Sequence, residues 1–263
     1  SRELQLDDIR TISNNKPKDL QLEVFVHGAM CVAYSGRCLL SHAMTGRNAN
    51  RGECTQPCRW EYFLHEKGHE GQYFPISEDQ KGTYVLNSMD LMMIEYIPDL
   101  MEAGISSLKI EGRMKSPYYV ASTVNAYRRA MDAYTRDGGR YSFDTSLKEE
   151  LVKSATRPFS TGFFFGRPQQ DINKEHDPRR YSFVAVVRED AADGEVLLEQ
   201  RNKFLAGDTL EVLSPRLQQT SIVVAKIVNM EGEEQESAPH PQQLIKIPCE
   251  VPLRAGDILR KII

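Results

Sequence analysis

An α/β unit followed by a small all-β barrel is the fold this chain predicts, on three observations. Strand-like and helix-like segments alternate up to about residue 135, the pattern that builds a parallel sheet or barrel. From Tyr181 onward the helical period is lost, and short apolar strands follow one another at turn-sized intervals, as in a small closed β-barrel. At 263 residues and 40% hydrophobic content, the chain is long enough for two units. The expected division is 1–135 for the α/β domain, 136–180 for a linker and 181–263 for the barrel.

The chain opens Ser1-Arg2-Glu3-Leu4 without an initiator methionine, which reads as an element cut through. Leu20–Val26 alternates apolar residues at Leu20, Leu22, Val24 and Val26 and is the first expected strand, ending at His27-Gly28. Thr83–Leu86 reads as the next strand, and Asn87 or Ser88 as the cap of a helix running to Ala103, kinked at Pro98 and stopped by Gly104. Leu108–Ile110 is a further strand. Ser116-Pro117 is a strong helix start, and Val120, Val124, Tyr127, Met131 and Tyr134 share one helical face. A short helix is expected over Ser146–Ala155, and the run Phe163–Phe165 is read as packing onto the first domain.

Six barrel strands are expected: Tyr181–Val187, Glu195–Glu199, Asp208–Val212, Ser221–Val228, Gln243–Ile247 and Asp257–Lys261. A weak repeat pairs Leu205-Ala206-Gly207-Asp208-Thr209-Leu210 with Arg254-Ala255-Gly256-Asp257-Ile258-Leu259, each Gly-Asp making the turn into a strand.

Chemistry concentrates in one stretch. Four of the five cysteines, Cys31, Cys38, Cys54 and Cys58, follow the spacing C-x6-C-x15-C-x3-C, while Cys249 lies in a strand-like run. No segment reads as a leader or a membrane span, and an odd cysteine count in a chain of this length argues against a disulfide framework, so a reducing cytoplasmic setting is expected. There, clustered thiols are ligands, for an iron–sulfur cluster or for zinc, or else redox thiols; neither pair has the short spacing zinc favours. Residues 31–60 carry Arg37, Arg47, Arg51 and Arg59 against Glu53 alone, within a chain of net charge −4. Such a local excess lowers thiol pKa values and holds an anionic cluster or phosphates, or is a solvated basic loop. The mild overall acidity excludes a non-specific nucleic-acid coat.

The segment Glu23-Val24-Phe25-Val26-His27-Gly28-Ala29-Met30-Cys31, continuing to Gly36-Arg37-Cys38-Leu39-Leu40-Ser41, resembles the signature of the peptidase U32 family, E-x-F-x-x-G-[SA]-[LIVM]-C, four residues, G-x-C-x-[LIVM]-S. Arg51–Trp60, Ser107–Lys115 and the tail from Tyr181 are similar to the same family. The resemblance implies that this stretch is the last part of a (β/α) barrel whose earlier strands precede Ser1, followed by the family's C-terminal barrel. It implies either a collagenase-like peptidase or, by the better understood branches, an oxygen-insertion protein bearing a [4Fe–4S] cluster. The most similar branch makes 5-hydroxyuridine at the tRNA wobble position, with prephenate implicated. A third reading is a non-catalytic, cluster-bearing subunit that acts with a U32-family partner.

The expected ligands are Cys31, Cys38, Cys54 and Cys58. Arg37, Arg47, Arg51 and Lys115 are the expected substrate contacts, for tRNA or a small anion. His27, Glu23, Lys109, Glu111 and Arg113 are the catalytic candidates, Lys109 and Glu111 facing one side of a strand as a pair, catalytic or structural. A cysteine protease would need one thiolate and one positioned histidine, with His27, His42, His65 and His69 nearby in sequence.

Overall fold

The computed structural model describes residues 2–31, 33–60, 63–64, 74–75, 89–166 and 181–263. The expected strand Thr83–Leu86, the caps Asn87 and Ser88, and His65 and His69 lie outside the described residues. Contacts divide the chain into two compact units: Ser1–Arg113 with Arg157–His176, and Met114–Thr156 with Asp177–Ile263.

In the first unit, α1 (Leu6–Asn15) buries Leu6 and Ile9, and its Leu6 N–H donates to the Phe164 carbonyl at 3.0 Å. β1 (Glu23–Gly28) is followed by α2 (Leu40–Thr45), the two-residue pair β2 (Phe63–Leu64) and β3 (Phe74–Pro75), then β4 (Asp90–Met92), α3 (Ile97–Glu102), β5 (Ser107–Ile110) and β6 (Phe159–Ser160). The main sheet has the order β5-β1-β4-β6. β1 is parallel to β5 and β4 is parallel to β6, but β1 and β4 run antiparallel. The α/β character therefore holds, in a mixed sheet rather than an all-parallel one.

The long helix expected up to Ala103 is corrected. Leu91, Met92, Met93 and Ile94 are all buried, and the first two belong to the central strand β4. An apolar run buried on every side suits a central strand, not a surface helix. Pro98 then sits in the first turn of α3, where its missing N–H costs nothing, and makes no kink. Gly104, at φ +75°, ends the helix as expected. The run Phe163–Phe165 packs within this unit: Phe164 is buried and the Phe165 ring meets Tyr96 at 4.7 Å.

Among the described residues the second unit contains α4 (Pro117–Asp137), α5 (Thr145–Val152) and ten strands. These are β7 (Tyr181–Val187), β8 (Glu195–Gln200), β9 (Phe204–Leu205), β10 (Thr209–Leu213), β11 (Thr220–Val223), β12 (Ile227–Asn229), β13 (Glu234–Gln235), β14 (Ser237–Ala238), β15 (Leu244–Pro248) and β16 (Ile258–Ile262). Eight of them form an antiparallel sheet in the order β11-β10-β16-β7-β8-β15-β12-β13, curled around Val184, Leu198, Phe204, Leu210, Ile227 and Ile245, while β9 pairs with β14. The order ends at β11 and β13, so the sheet is a half-barrel and not the closed barrel expected. The segment read as one strand over Ser221–Val228 is two, β11 and β12.

The Gly-Asp repeat is a structural device used twice. Gly207 and Gly256 adopt φ +90° and +92°, a backbone region open to glycine. Asp208 then accepts the Leu205 N–H at 2.8 Å, and Asp257 accepts the Arg254 N–H at 2.9 Å.

Ser116 caps α4 as its sequence predicts, accepting the Tyr119 N–H at 3.2 Å. The buried face is different from the one expected: Tyr119, Ser122, Thr123, Ala126, Tyr127 and Ala130 are inside, while Val120 and Val124 are exposed. Polar Ser122 and Thr123 are tolerated there because Ser122 donates to Glu150 and Thr123 to the Tyr119 carbonyl. Arg260 of β16 makes five hydrogen bonds, to Tyr118, Glu150 and Glu211, so α4 and α5 are held to the half-barrel.

Candidate functional site

The site lies in the first unit, where β1 and β5 end side by side and the cysteine segment begins. Glu111 leaves β5 by donating its N–H to the His27 carbonyl at 2.9 Å. This crossing is so close that a Cβ on Gly28 would stand 2.9 Å from the Glu111 Cβ and nearer still to its carbonyl oxygen; Gly28, at φ +111°, is the residue that permits it. Glu111 Oε1 accepts the Arg113 N–H at 3.1 Å, whereas its Oε2 is shielded from solvent and has no hydrogen-bond partner among the described residues.

His27 is 1% exposed, with its ring 5.1 Å from that of Phe159. It is therefore part of the packed sheet and not a group standing in open solvent.

The cysteine segment is a set of short turns locked together. Cys31 is followed by a turn in which Arg37 N–H donates to the Tyr34 carbonyl at 2.9 Å, and Ser35 N–H donates to Glu3 at 2.8 Å. α2 follows Cys38, and the buried Ser41 on it accepts the Thr55 N–H at 3.1 Å. Ser41 and Thr45 hydroxyls also bond the Thr55 hydroxyl, at 3.1 and 3.2 Å. These contacts fasten the limb that carries Cys38 to the limb that carries Cys54 and Cys58. Gln56, at φ +56°, reverses the chain and donates its N–H to the Cys54 sulfur at 3.3 Å; Pro57 then opens the tight turn that holds Cys58.

Cys31 is exposed, and Cys38, Cys54 and Cys58 are half-buried. Crowding of its sulfur pushes the Cys31 thiol up, the N–H of Ala33 draws it down, and the charges of Cys38 and Cys54 push it up again. Cys31 thus feels both Cys38 and Cys54. Among the described residues no group of three or more His, Cys, Asp or Glu side chains is gathered tightly enough to hold a metal ion. Cys249 is buried in the half-barrel core and donates to the Val251 carbonyl at 3.4 Å, as a structural thiol does.

Arg37, Arg47, Arg51 and Arg113 are exposed, and none makes a side-chain hydrogen bond or ion pair among the described residues. The Arg113 guanidinium lies across Gly52, its Nη1 2.8 Å from where a Cβ would stand, so it rests on the cysteine segment two residues from Cys54.

Other candidates have partners of their own. Glu23 accepts from Lys109 at 2.7 Å and from Ser107 at 2.9 Å, an ion pair half-open to solvent. These two bonds, Lys109 first in effect, hold the Glu23 carboxyl below the usual range. The pair sits at the start of β1, about 16 Å from Gly28 at the rise of a strand. The expected Lys109–Glu111 pair does not form: Lys109 donates to Glu23 across the parallel strands, and Glu111 Oε1 accepts the Arg113 N–H. Lys115 belongs to the second unit, where it bonds Thr156 at 3.1 Å. Ser41, Gly28 and Gly52 were missed as site-building residues. Ser41 closes the G-x-C-x-[LIVM]-S signature, so its signal was in view, and a glycine beside each motif was the signal for the others.

The family model described as Peptidase family U32 matches residues 1–174, and that described as Peptidase family U32 C-terminal domain matches residues 179–260. The chain is 39% identical over 247 residues to tRNA hydroxylation protein P1 of Bacillus subtilis, covering 92% of this chain and 58% of that protein. It is 34% identical over 291 residues to tRNA hydroxylation protein P of Escherichia coli, covering 94% and 63% respectively. It is 36% identical over 225 residues to the 23S rRNA 5-hydroxycytidine C2501 synthase of Escherichia coli, covering 82% and 32%. The chain thus spans less than two thirds of the length of each of these relatives.

Proposed function

This chain belongs to peptidase family U32, and from that premise we propose that it serves in RNA base hydroxylation, forming 5-hydroxyuridine at the wobble position of tRNA. In this reading Cys31, Cys38, Cys54 and Cys58 hold a [4Fe–4S] cluster. The supporting observation is one segment in which four thiols are interleaved with Arg37, Arg47 and Arg51, which are exposed and make no side-chain hydrogen bond or ion pair among the described residues. The names of the three relatives, all RNA hydroxylation proteins, point the same way.

The donor set has the right chemistry: four thiols on two limbs clamped through Ser41 and Thr55, with the Gln56 N–H on the Cys54 sulfur, a bond of the type that stabilises sulfur-borne charge. As they stand the thiols are not gathered closely enough to ligate, so binding the cluster requires them to close on it. When bound, the cluster supplies the redox chemistry that side chains lack. Arg37, Arg47, Arg51 and Arg113 hold RNA phosphates or a small anion such as prephenate. His27 acts as a positioning residue, its carbonyl fixing Glu111. Glu23 and Lys109 brace the sheet. The half-barrel is not assigned the phosphates, because residues 181–263 hold nine basic against thirteen acidic side chains. A second U32-family subunit is the expected partner. Among the described residues no helix is long and apolar enough to cross a membrane, and a tRNA substrate places the protein in the cytoplasm.

The test is anaerobic preparation of the full-length protein with iron and sulfide analysis, together with mass spectrometry of tRNA nucleosides from cells that lack it. A brown protein bleached by Cys→Ser at any of the four positions but not by Cys249→Ser, and loss of 5-hydroxyuridine derivatives, are expected. Stoichiometric zinc without sulfide overturns the cluster. Unchanged tRNA alongside collagen cleavage that Cys→Ser abolishes reinstates the peptidase.

A further inference from the structure

The turn Glu111-Gly112-Arg113 carries two unmet bonding demands, and they are complementary. Glu111 is held at three points: its N–H on His27, its backbone against Gly28, and Oε1 on the Arg113 N–H. With the side chain pinned, Oε2 is fixed in a place where neither solvent nor any described residue donates to it. A charged acceptor in that condition is costly to keep, yet the close crossing at Gly28 is what creates it. Two residues on, the Arg113 guanidinium lies on Gly52 with its donors unused among the described residues. One short turn thus offers a shielded acceptor for an N–H and an open cation for an anion.

A ligand answering both has a planar N–H donor on an uncharged ring and a phosphate attached to it. We propose that this turn is a pyrimidine nucleotide subsite: Glu111 Oε2 accepts a ring N–H or exocyclic amino N–H of the target base, and Arg113 holds that nucleotide's phosphate. Uracil offers N3–H and cytosine its amino group, so one carboxylate serves either base, whereas uracil methylated at N3, with no N–H left there, is refused. This inference rests on the RNA reading above and names the part of the substrate that the turn grips.

The experiment uses the full-length protein and three probes, uridine 5′-monophosphate, 3-methyluridine 5′-monophosphate and ribose 5-phosphate, with binding followed by calorimetry. Glu111→Gln keeps an oxygen for the Arg113 N–H but replaces the second acceptor with a donor. It should weaken uridine monophosphate about 10- to 100-fold, the range for a hydrogen bond to a charged group, with ribose 5-phosphate and the melting temperature unchanged. Wild-type protein should bind the 3-methyl nucleotide no better than ribose 5-phosphate. Arg113→Ala should weaken all three probes. Equal binding of uridine monophosphate by wild type and Glu111→Gln overturns the proposal, as does wild-type protein that binds no nucleotide. A Glu111→Gln protein that melts several degrees lower and also loses ribose 5-phosphate overturns it too, since the missing donor then belongs to the polypeptide. Nucleoside analysis of cellular RNA is read separately: wild-type protein that binds uridine monophosphate yet hydroxylates no RNA defeats the RNA reading and leaves the subsite standing.

Discussion

Replacing Arg260 with methionine is the sharpest test of how the second unit is held together. The Arg260 side chain is 4% exposed, and its guanidinium bonds Glu150 Oε2 at 2.6 Å, Glu211 Oε2 at 3.1 Å and the Tyr118 hydroxyl at 3.1 Å. Burial by itself would draw the guanidinium pKa down, but Glu150 and Tyr118 hold it above its usual value. Tyr118 is in turn pushed up to about 12, by burial first, with Arg260 opposing. Methionine fills much the same volume but leaves Glu150 and Glu211 to share one cation among the described residues, Lys153, 3.6 Å from one and 2.8 Å from the other, beside the Ser122 and Tyr181 hydroxyls. Breaking one partner of a buried ion pair costs roughly 3–5 kcal/mol. Lys153 and the partial exposure of Glu211 bring the expectation to about 3 kcal/mol, near the bottom of that range. For a unit of this size that is a fall of about 10 °C in melting temperature. Thermal unfolding followed by circular dichroism measures it, and hydrogen exchange on α4 and α5 locates it. A loss below about 1 kcal/mol, the value of an exposed pair, would refute the argument that this cluster ties the helices to the sheet.

Two further outcomes follow from the same structure. Gly28→Ala should fold poorly or detach Glu111 from His27, with a cost of about 2 kcal/mol or more from a strained φ and a backbone clash; an unchanged melting temperature would show that the strands can separate freely. Glu211 is held below its usual value because Lys153 and Arg260 outweigh its burial, and Asp208 likewise because Lys261 and the Leu205 N–H do. A carboxylate whose folded pKa is depressed contributes stability that is complete above the unfolded value, near pH 4, and is lost as pH falls through the lower folded value. The second unit should therefore lose melting temperature steadily below about pH 4, and a flat profile there would contradict these ion pairs.

Much of the fold was legible because local rules governed it. The Ser116-Pro117 start of α4, the Gly104 stop and the twin Gly-Asp turns each depend on a few neighbouring atoms. The face of α4 was misread because hydrophobic period cannot see that Ser122 and Thr123 meet hydrogen-bond partners inside. Strand β4 was misread as helix because an apolar run buried on all sides has no period to report.

For the site, the sequence determined the inventory: four cysteines at ligand-like spacing, an arginine excess around them, and a signature whose resemblance led to the family. It determined these because they are matters of residue type and order along one short segment. Only the tertiary structure decided which charges remain available. Glu23 and Lys109 are spent on each other, Lys115 donates to Thr156, and Arg113 is laid across Gly52 beside Cys54. It also decided that Glu111 carries an oxygen unanswered among the described residues, because that follows from β1 and β5 ending side by side with no room for a side chain at Gly28. Pairing between strands about eighty residues apart is set by register and close approach in space, and neither is written in the local pattern of the chain.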